Sequence, residues 1–177
     1  MILVTGFGSF PGVADNPTAA LARSLDGSRI DGVLVRTAVL DVEFADLSER
    51  LKELESMHQP HLILGMGVSR VAERPTLELR GVNCVGEHVD AAGALPASLG
   101  EGPAELFATL PHRAFLGALD GVSSTDAGRY VCNAWLYTAL RDLVTPALFL
   151  HVPKTGLPLS LLRQALQAWW RETRSGQ

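Results

Sequence analysis

The residues with the most evident chemistry are a cysteine and a histidine that lie on consecutive predicted elements. Cys132 follows the turn-forming run 123–128 and opens an apolar helical pattern that continues to about Leu143. His151 lies near the end of the next buried strand pattern, residues 147–152. Free N–H groups at the start of a helix stabilise a thiolate, which is the nucleophilic form of cysteine. A thiol at a helix start and an imidazole at a strand end can therefore meet in space.

A carboxylate completes the set of groups that a catalytic triad needs. Residues 76–83 alternate between apolar and polar side chains, which predicts a strand with Glu78 on one face. Glu78, Cys132 and His151 would then supply an orienting group, a nucleophile and a base. Each residue also has a structural interpretation: a buried core thiol, a hydrogen-bonded core histidine and a solvated strand residue. Triad members need to be close only in space, so spacing alone leaves both interpretations open.

The second cysteine is the internal rival of Cys132. Cys84 lies at the end of the predicted 76–83 strand, away from any helix start, and we expect an ordinary thiol there. Two cysteines without a C-x-x-C pair, and five histidines without H-x-x-x-H spacing, predict neither a disulfide framework nor a bound metal.

Composition excludes several classes of protein. The 177 residues suit a single domain spanning 1–177, with 47% hydrophobic and 19% charged residues. A net charge of −4 without any run of like charge argues against a nucleic-acid binder. No apolar run approaches the roughly 18 residues of a membrane span. The chain begins directly with a strand pattern and lacks a charged leader, so we expect a cytoplasmic protein.

The order of elements predicts an α/β fold. An apolar strand at 1–5 precedes a glycine-containing loop at 6–12, and Asn16 is the expected N-cap of a helix that ends near Gly27. The pattern then predicts strands at 33–40, 61–67, 106–110 and 147–152, and helices at 41–57, 111–120 and 157–174. This repeated strand–helix order favours a mostly parallel sheet covered by helices. Residues 84–104 form a long irregular segment, which in a compact domain is usually functional or mobile.

Several stretches, in this order, resemble the pyroglutamyl-peptidase I family, also called pyrrolidone-carboxylate peptidases. The resemblance covers nearly the whole chain, and its motifs are residues 5–10 with Asn16-Pro17, Gly67-Val68-Ser69, Leu77-Glu78 with Gly81 and Asn83, residues 126–133, and residues 149–153. Two of the departures from the family pattern bear on the site. Pro11 stands where the family usually has glycine, and residues 84–90 differ from the family's usual acidic, arginine-containing run.

The resemblance implies a fold and an activity. The expected fold is a three-layer α/β/α sandwich with a mixed, mostly parallel twisted sheet, of the phosphorylase/hydrolase-like kind. The expected activity is that of a cysteine peptidase, or thiol protease, whose partners are N-terminally pyroglutamylated peptides. Glu78, Cys132 and His151 would form its triad, and removal of pyroglutamate (5-oxoproline) would pass through a thioester. The family uses no metal or cofactor.

The resemblance also implies a pocket for the pyroglutamyl ring, with apolar walls and a few placed polar groups. Residues that fit its walls or fix its loop are Phe7, Phe10, Asn16, Val89, Tyr130 and Val131. Judged from the residues alone, the two loop phenylalanines fit a loop-anchoring role equally well.

Two other functions remain open at this point. The altered 84–92 segment is consistent with a cysteine amidase of the same fold that acts on another small N-terminal acyl group. Because a fold does not determine function, a non-enzymatic α/β binding module, for example for nucleoside-like ligands, is the other alternative. Trp135, Trp169, Trp170 and the 84–104 segment could cover the core or a subunit interface, so a homo-oligomer is a possible assembly.

Overall fold

The computed structural model describes residues 1–175, which form nine strands and five helices. In chain order these are β1 (Ile2–Phe7), α1 (Pro17–Leu25), β2 (Arg29–Ile30), β3 (Val33–Leu40), α2 (Leu47–His58), β4 (Leu62–Ser69), β5 (Thr76–Glu78), β6 (Arg80–Val82), β7 (Glu105–Phe107), α3 (Arg113–Leu119), β8 (Val122–Ser124), α4 (Val131–Asp142), β9 (Ala147–Pro153) and α5 (Leu159–Ser175). None of the helices within residues 1–175 is long and apolar enough to cross a membrane.

Seven strands form one mixed sheet in the order β2-β3-β1-β4-β9-β5-β8. The four central strands, β3, β1, β4 and β9, run parallel to one another. β5 pairs antiparallel to β9, and β8 runs parallel to β5. β6 and β7 form a separate two-stranded antiparallel sheet. The predicted mixed, mostly parallel α/β fold is confirmed.

Alternation along the central strands divides the core between the two faces of the sheet. Leu148, Leu150 and Val152 of β9 join the helices α1, α3 and α5 in one buried cluster. Ala147 and Phe149 of the same strand join α2 and α4 in the other. Successive strand residues point to opposite faces, so the sheet lies between two helical layers.

Two predicted elements differ from the structure in a way that matters for the site. The strand predicted at 76–83 is divided, because Leu79 bonds to Ser124 through its N–H and to Ala108 through its carbonyl, and the chain passes there from the large sheet to the small one. The helix predicted at 41–57 begins only at Leu47. Asp46, with φ of 54°, and the hydrogen bond from the Phe44 N–H to the Asp90 carboxylate keep residues 41–46 as a loop.

Two short edge strands, β2 and β8, were not predicted, since two or three residues carry no periodic signal. The predicted 106–110 strand is the shorter β7, Glu105–Phe107. The N-cap predicted for Asn16 is confirmed, because its side chain accepts a hydrogen bond from the Thr18 N–H.

Candidate active site

His151 lies on the face of the sheet that carries α4. It follows Ala147 and Phe149 at intervals of two along β9, and both of those residues belong to the α2/α4 cluster. Strand alternation therefore directs the imidazole towards the helix that carries Cys132. Only 12% of the His151 side chain is exposed, so the ring is largely removed from water.

Glu78 reaches the imidazole from the neighbouring strand. Leu77 packs in the opposite cluster, so Glu78 lies on the same face as His151. β5 is antiparallel to β9 with Glu78 opposite Phe149, which makes His151 its diagonal neighbour. Glu78 Oε1 lies 2.8 Å from His151 Nδ1, and Glu78 is only 2% exposed. A buried carboxylate at this distance fixes the orientation of the ring and stabilises its protonated form.

Cys132 is the second residue of α4, and its sulfur packs against a glycine of β4. Gly67 is the register partner of His151 in the parallel β4–β9 pair. A Cβ atom added to Gly67 would lie 2.7 Å from Cys132 Sγ and 2.9 Å from Phe149 Cζ. The missing side chain of Gly67 therefore leaves the space that the thiol occupies beside His151. Gly67 belongs to one of the family motifs in the sequence, but this role for it was not predicted.

The electrostatics of the site follow from this packing. Burial by itself lowers the pKa of His151, but the charge and hydrogen bond of Cys132, together with those of Glu78, raise it to about 10. The imidazolium form of His151 is therefore favoured at neutral pH. An imidazolium that is held by a carboxylate beside a thiol can act as a proton donor and can activate that thiol as a nucleophile.

Asn133 fixes the start of α4 against the small sheet. Its side chain is fully buried, accepts the Val82 N–H at 2.9 Å and donates to the Val82 and Cys84 carbonyls at 2.9 and 3.1 Å. These three bonds attach β6 and the beginning of the 84–104 segment to the residue after Cys132. No role was predicted for Asn133, although a polar residue within an apolar helical pattern indicates a buried hydrogen-bonding side chain.

An aromatic cluster precedes the cysteine. Tyr130 is the N-cap residue of α4, and its ring lies 5.8 Å from Phe44 in an edge-to-face arrangement and 6.5 Å from Phe10. The Tyr130 hydroxyl donates to the Val89 carbonyl at 3.2 Å. Phe44 was not among the predicted site residues, because residues 41–46 were expected to be the first turns of a helix.

The 84–104 segment is attached to this cluster through a buried carboxylate. Asp90 is 3% exposed and accepts the N–H groups of Phe44 (2.8 Å), Ala92 (3.0 Å) and Ala94 (2.8 Å). Asp90 thus joins the 84–104 segment to the 41–46 loop, and both of these contact Tyr130. The long segment is an ordered part of the site's surroundings.

The predicted pocket residues have different surroundings. Phe10, Tyr130 and Val89 lie together around the aromatic cluster, with Val89 54% exposed. Asn16 is buried, and its amide donates to the Gly8 carbonyl at 2.9 Å, so it does fix the first loop.

The side chains of Phe7 and Val131 are buried, with 3% and 0% exposure, and both belong to the α2/α4 core cluster. At these two positions the side chains contact the core, because they point into the buried cluster between the sheet and the helices α2 and α4.

The surroundings of Cys84 and of the tryptophans add detail to two further expectations. Arg129 Nη1 lies 3.0 Å from the Cys84 sulfur. Trp135 and Trp169 are fully buried and cover the core, so neither side chain can line a subunit interface. Both cysteines are free, and within residues 1–175 no group of three or more His, Cys, Asp or Glu residues could hold a metal ion.

Comparison with known proteins agrees with the geometry. The family model described as pyroglutamyl peptidase matches residues 1–158 of the chain. The chain belongs to the pyroglutamyl peptidase family. Curated relatives include the pyrrolidone-carboxylate peptidase of Deinococcus radiodurans, 36% identical over 86% of this chain and 77% of the relative. That of Oceanobacillus iheyensis is 31% identical over 86% of this chain and 83% of the relative.

Solved structures extend the comparison to three dimensions. The pyrrolidone carboxyl peptidase from Thermus thermophilus is 31% identical, with a TM-score of 0.83 over 97% of this chain and all of that one. The pyroglutamyl peptidase I of Bacillus amyloliquefaciens is 22% identical and supports the fold alone, with a TM-score of 0.85 over 98% of this chain and 96% of that one.

Proposed function

We propose that this protein is a cysteine peptidase that removes N-terminal pyroglutamate from peptides, with Cys132, His151 and Glu78 as its triad. The observation that carries the proposal is the buried His151–Glu78 hydrogen bond of 2.8 Å on the sheet face where Gly67 makes room for Cys132 Sγ. Membership of the pyroglutamyl peptidase family supports the substrate class.

The first half-reaction forms an acyl-enzyme. The Cys132 thiolate attacks the pyroglutamyl carbonyl carbon, a C–S bond forms, and the carbonyl electron pair moves to oxygen. Free N–H groups at the start of α4 are suited to stabilise that oxyanion. The intermediate collapses with cleavage of the C–N bond, and His151 Nε2 gives its proton to the leaving amine. Glu78 holds Nδ1 throughout and keeps Nε2 directed at the reaction.

The second half-reaction returns the enzyme to its starting state. Neutral His151 takes a proton from water, and the resulting hydroxide attacks the thioester carbonyl. Cleavage of the C–S bond releases pyroglutamate and restores the thiolate beside an imidazolium. Protons and electrons balance with water as the only co-reactant, so the step needs no other group.

Selectivity for a blocked N-terminus has a physical basis in the aromatic cluster. The pyroglutamyl ring is an uncharged lactam with apolar faces, which suits the rings of Phe10 and Tyr130. A free α-amino group carries a charge that these rings would strip of water without a compensating partner. In this proposal the exposed Val89 lies at the edge of the pocket and Asn16 fixes its first loop. The buried side chains of Phe7 and Val131 support the pocket from the core.

The test is release of a fluorescent amine from pyroglutamyl-aminomethylcoumarin. We expect release that a thiol-blocking reagent abolishes, that is lost in Cys132→Ser and that persists in Cys84→Ala. Absence of release from the wild type, or release that survives Cys132→Ser, would refute the proposal. Loss in Cys84→Ala with retention in Cys132→Ala would reassign the nucleophile.

A cysteine amidase for another small acyl group is the second candidate, because the 84–104 segment that reaches Tyr130 differs from the family pattern. A panel of N-acyl coumarin amides distinguishes the two, and the alternative fails if pyroglutamyl is clearly the best substrate. Family membership argues against the non-enzymatic binding module. We expect the reaction in the cytoplasm, consistent with two free thiols, and cell fractionation tests that location.

A further inference from the structure

Arg70 lies at the same edge of the sheet as the thiol, directly after β4. Its side chain is exposed, with the guanidinium carbon 5.9 Å from the centroid of the Phe10 ring. Nη2 lies 3.4 Å from the Pro11 carbonyl, a long and weak hydrogen bond. A Cβ atom added to Gly12 would come within 2.8 Å of that nitrogen. The guanidinium therefore lies across the 10–12 loop, on the outer side of the aromatic cluster.

The chain keeps the backbone of Arg70 near the thiol. Arg70 is three residues after Gly67, whose missing side chain leaves space for Cys132 Sγ, so the two backbones lie within about 11 Å of each other. Arg70 is also within electrostatic reach of Tyr130. Burial and the charges of Asp90 and Cys132 raise the pKa of Tyr130, while the charge of Arg70 lowers it.

Arg70 has binding capacity that the protein does not use. Among residues 1–175 it forms no ion pair with a carboxylate, whereas Arg74 and Arg80 pair with Asp120 and Glu105. Arg70 does not bond to either of the two buried carboxylates near the site: Glu78 bonds to His151 through Oε1, and Asp90 bonds to three backbone N–H groups. A guanidinium has five N–H donors in a planar fork that matches a carboxylate.

We propose that Arg70 is a specificity-determining residue that binds a carboxylate on the part of the peptide that follows pyroglutamate. The inference rests on the proposed function, because the acyl group must lie at Cys132 with its ring against Phe10 and Tyr130. The leaving chain then extends outward past the Phe10 ring, where the guanidinium lies. The carboxylate is either the side chain of an acidic second residue or the free C-terminus of a dipeptide.

The experiment compares substrates that differ only in charge. We measure kcat/KM for pyroglutamyl-Glu-amide against pyroglutamyl-Gln-amide, and for pyroglutamyl-Ala against its amide, by quantifying released pyroglutamate. An exposed, charge-assisted pair predicts a preference of about 2- to 5-fold for the anionic member of at least one pair. The pair that shows the preference identifies the source of the carboxylate. Raising the salt concentration to about 0.5 M should reduce the ratio, because exposed charges are screened.

The variants assign that preference to Arg70. In Arg70→Gln the anionic-to-neutral ratio should fall to about 1, and Arg70→Lys should retain part of it, since the charge remains but the planar fork is lost. Arg23→Gln is the matched control, an exposed arginine in the last turn of α1 whose removal should leave the ratio unchanged. A wild-type ratio of 1 in both pairs, or a ratio that survives Arg70→Gln, overturns the inference.

A separate binding measurement distinguishes failure of this inference from failure of the proposed function. Calorimetric titration of Cys132→Ala with the Glu and Gln peptides should give a lower Kd for the Glu peptide, and Arg70→Gln in that background should equalise the two. Absence of pyroglutamate release from every substrate refutes the catalytic proposal but does not affect this readout. Equal Kd values, or no binding of either peptide, overturn the role of Arg70.

Discussion

At the scale of single residues, the site depends on how a buried imidazole is held between two acidic groups. His151 loses hydration by burial, yet Cys132 and Glu78 together raise its pKa to about 10. Gly67 contributes by having no side chain, since any Cβ there would meet Cys132 Sγ. Glu78 and Cys132 set the charge of the imidazole, and Gly67 sets the space for the thiol. The effect of substituting Glu78 or Gly67 on activity can therefore be predicted.

Replacing Glu78 with Gln should lower the pKa of His151, because the substitution removes a negative charge and weakens the 2.8 Å bond to Nδ1. In the proposed mechanism the His151 imidazolium protonates the leaving amine, and in this variant it would be lost at lower pH. We expect the alkaline limb of the pH profile of kcat/KM to move down by about 1 unit or more, and the rate to fall by about 100-fold. Steady-state kinetics from about pH 5 to about 10.5 measures both effects. This range covers the reference pKa of His151 and its raised value of about 10.

Glu105→Gln is the control for this measurement, because Glu105 forms an exposed pair with Arg80 at 3.1 Å and should leave the profile unchanged. An alkaline limb that does not move in Glu78→Gln would contradict the assigned role of Glu78.

Replacing Gly67 with Ala should displace the thiol, since the new Cβ would lie 2.7 Å from Cys132 Sγ. A displacement near 1 Å at a reacting atom costs about 100-fold in rate, so we expect a loss of kcat/KM of that order. Gly117→Ala in α3 is the matched control, because nothing lies within 4 Å of its added Cβ and its activity should be that of the wild type. Activity of Gly67→Ala within a few-fold of the wild type would mean that the thiol does not need this space.

At the scale of elements, the irregular 84–104 segment is ordered by two polar side chains at its start. Asn133 of α4 binds the Cys84 carbonyl, and Asp90 binds the N–H groups of Phe44, Ala92 and Ala94. The segment lacks long helices and strands, so its backbone N–H and C=O groups have few partners in regular secondary structure. Hydrogen bonds to the two side chains supply some of those partners. Its position beside Tyr130 depends on them.

Asp90→Asn tests that dependence. The amide can still accept the two N–H groups at Oδ1, but it presents an NH₂ group to the Phe44 N–H, which leaves a buried donor unsatisfied at a cost of about 1–3 kcal/mol. We expect a KM increase of about tenfold with kcat changed less, and faster cleavage at Glu87 and Glu101 by a Glu-specific protease.

The control for Asp90→Asn is Asp26→Asn, in which the replaced carboxylate accepts the Thr37 N–H at 3.0 Å at an exposed site far along the chain from the cluster. That variant should have wild-type kinetics. Unchanged KM and unchanged proteolysis in a folded Asp90→Asn protein would show that the segment does not need the carboxylate.

At the scale of the whole molecule, the two faces of the sheet carry different kinds of residue. The α2/α4 face carries Cys132, His151 and Glu78, whereas the α1/α3/α5 face carries core side chains such as Trp169, whose ring lies 5.7 Å from Phe115. Stability and catalysis should therefore respond to different substitutions.

Trp169→Ala should destabilise the fold by about 3–5 kcal/mol, because it removes a fully buried large side chain and leaves a cavity. The specific activity of the folded fraction should not change, since α5 lies on the face opposite the thiol. Urea unfolding and active-site titration measure the two quantities. Trp170→Ala is the comparison, since Trp170 is only partly buried and should cost less. Equal losses in the two variants would contradict this account of the core.

The sequence by itself determined most of the longer elements and the list of reactive residues. The apolar run 147–152 predicted a buried strand with His151 near its end, and the turn-forming run before Cys132 placed the thiol at a helix start. The ordered motifs indicated the family that the comparisons confirm. These features are local, because strand alternation and helix starts depend on neighbouring residues in the chain.

The tertiary structure decided which distant residues meet. The antiparallel register that brings Glu78 to His151, the space at Gly67 for Cys132 and the bond between Asp90 and Phe44 all join separate parts of the chain. Arg70 on Phe10 is a further case, and no local pattern predicts it. Sheet register and side-chain contact between distant segments follow from how the whole core packs. A site assembled from β4, β5, α4 and β9 is therefore specified only once the sheet and its helices have come together.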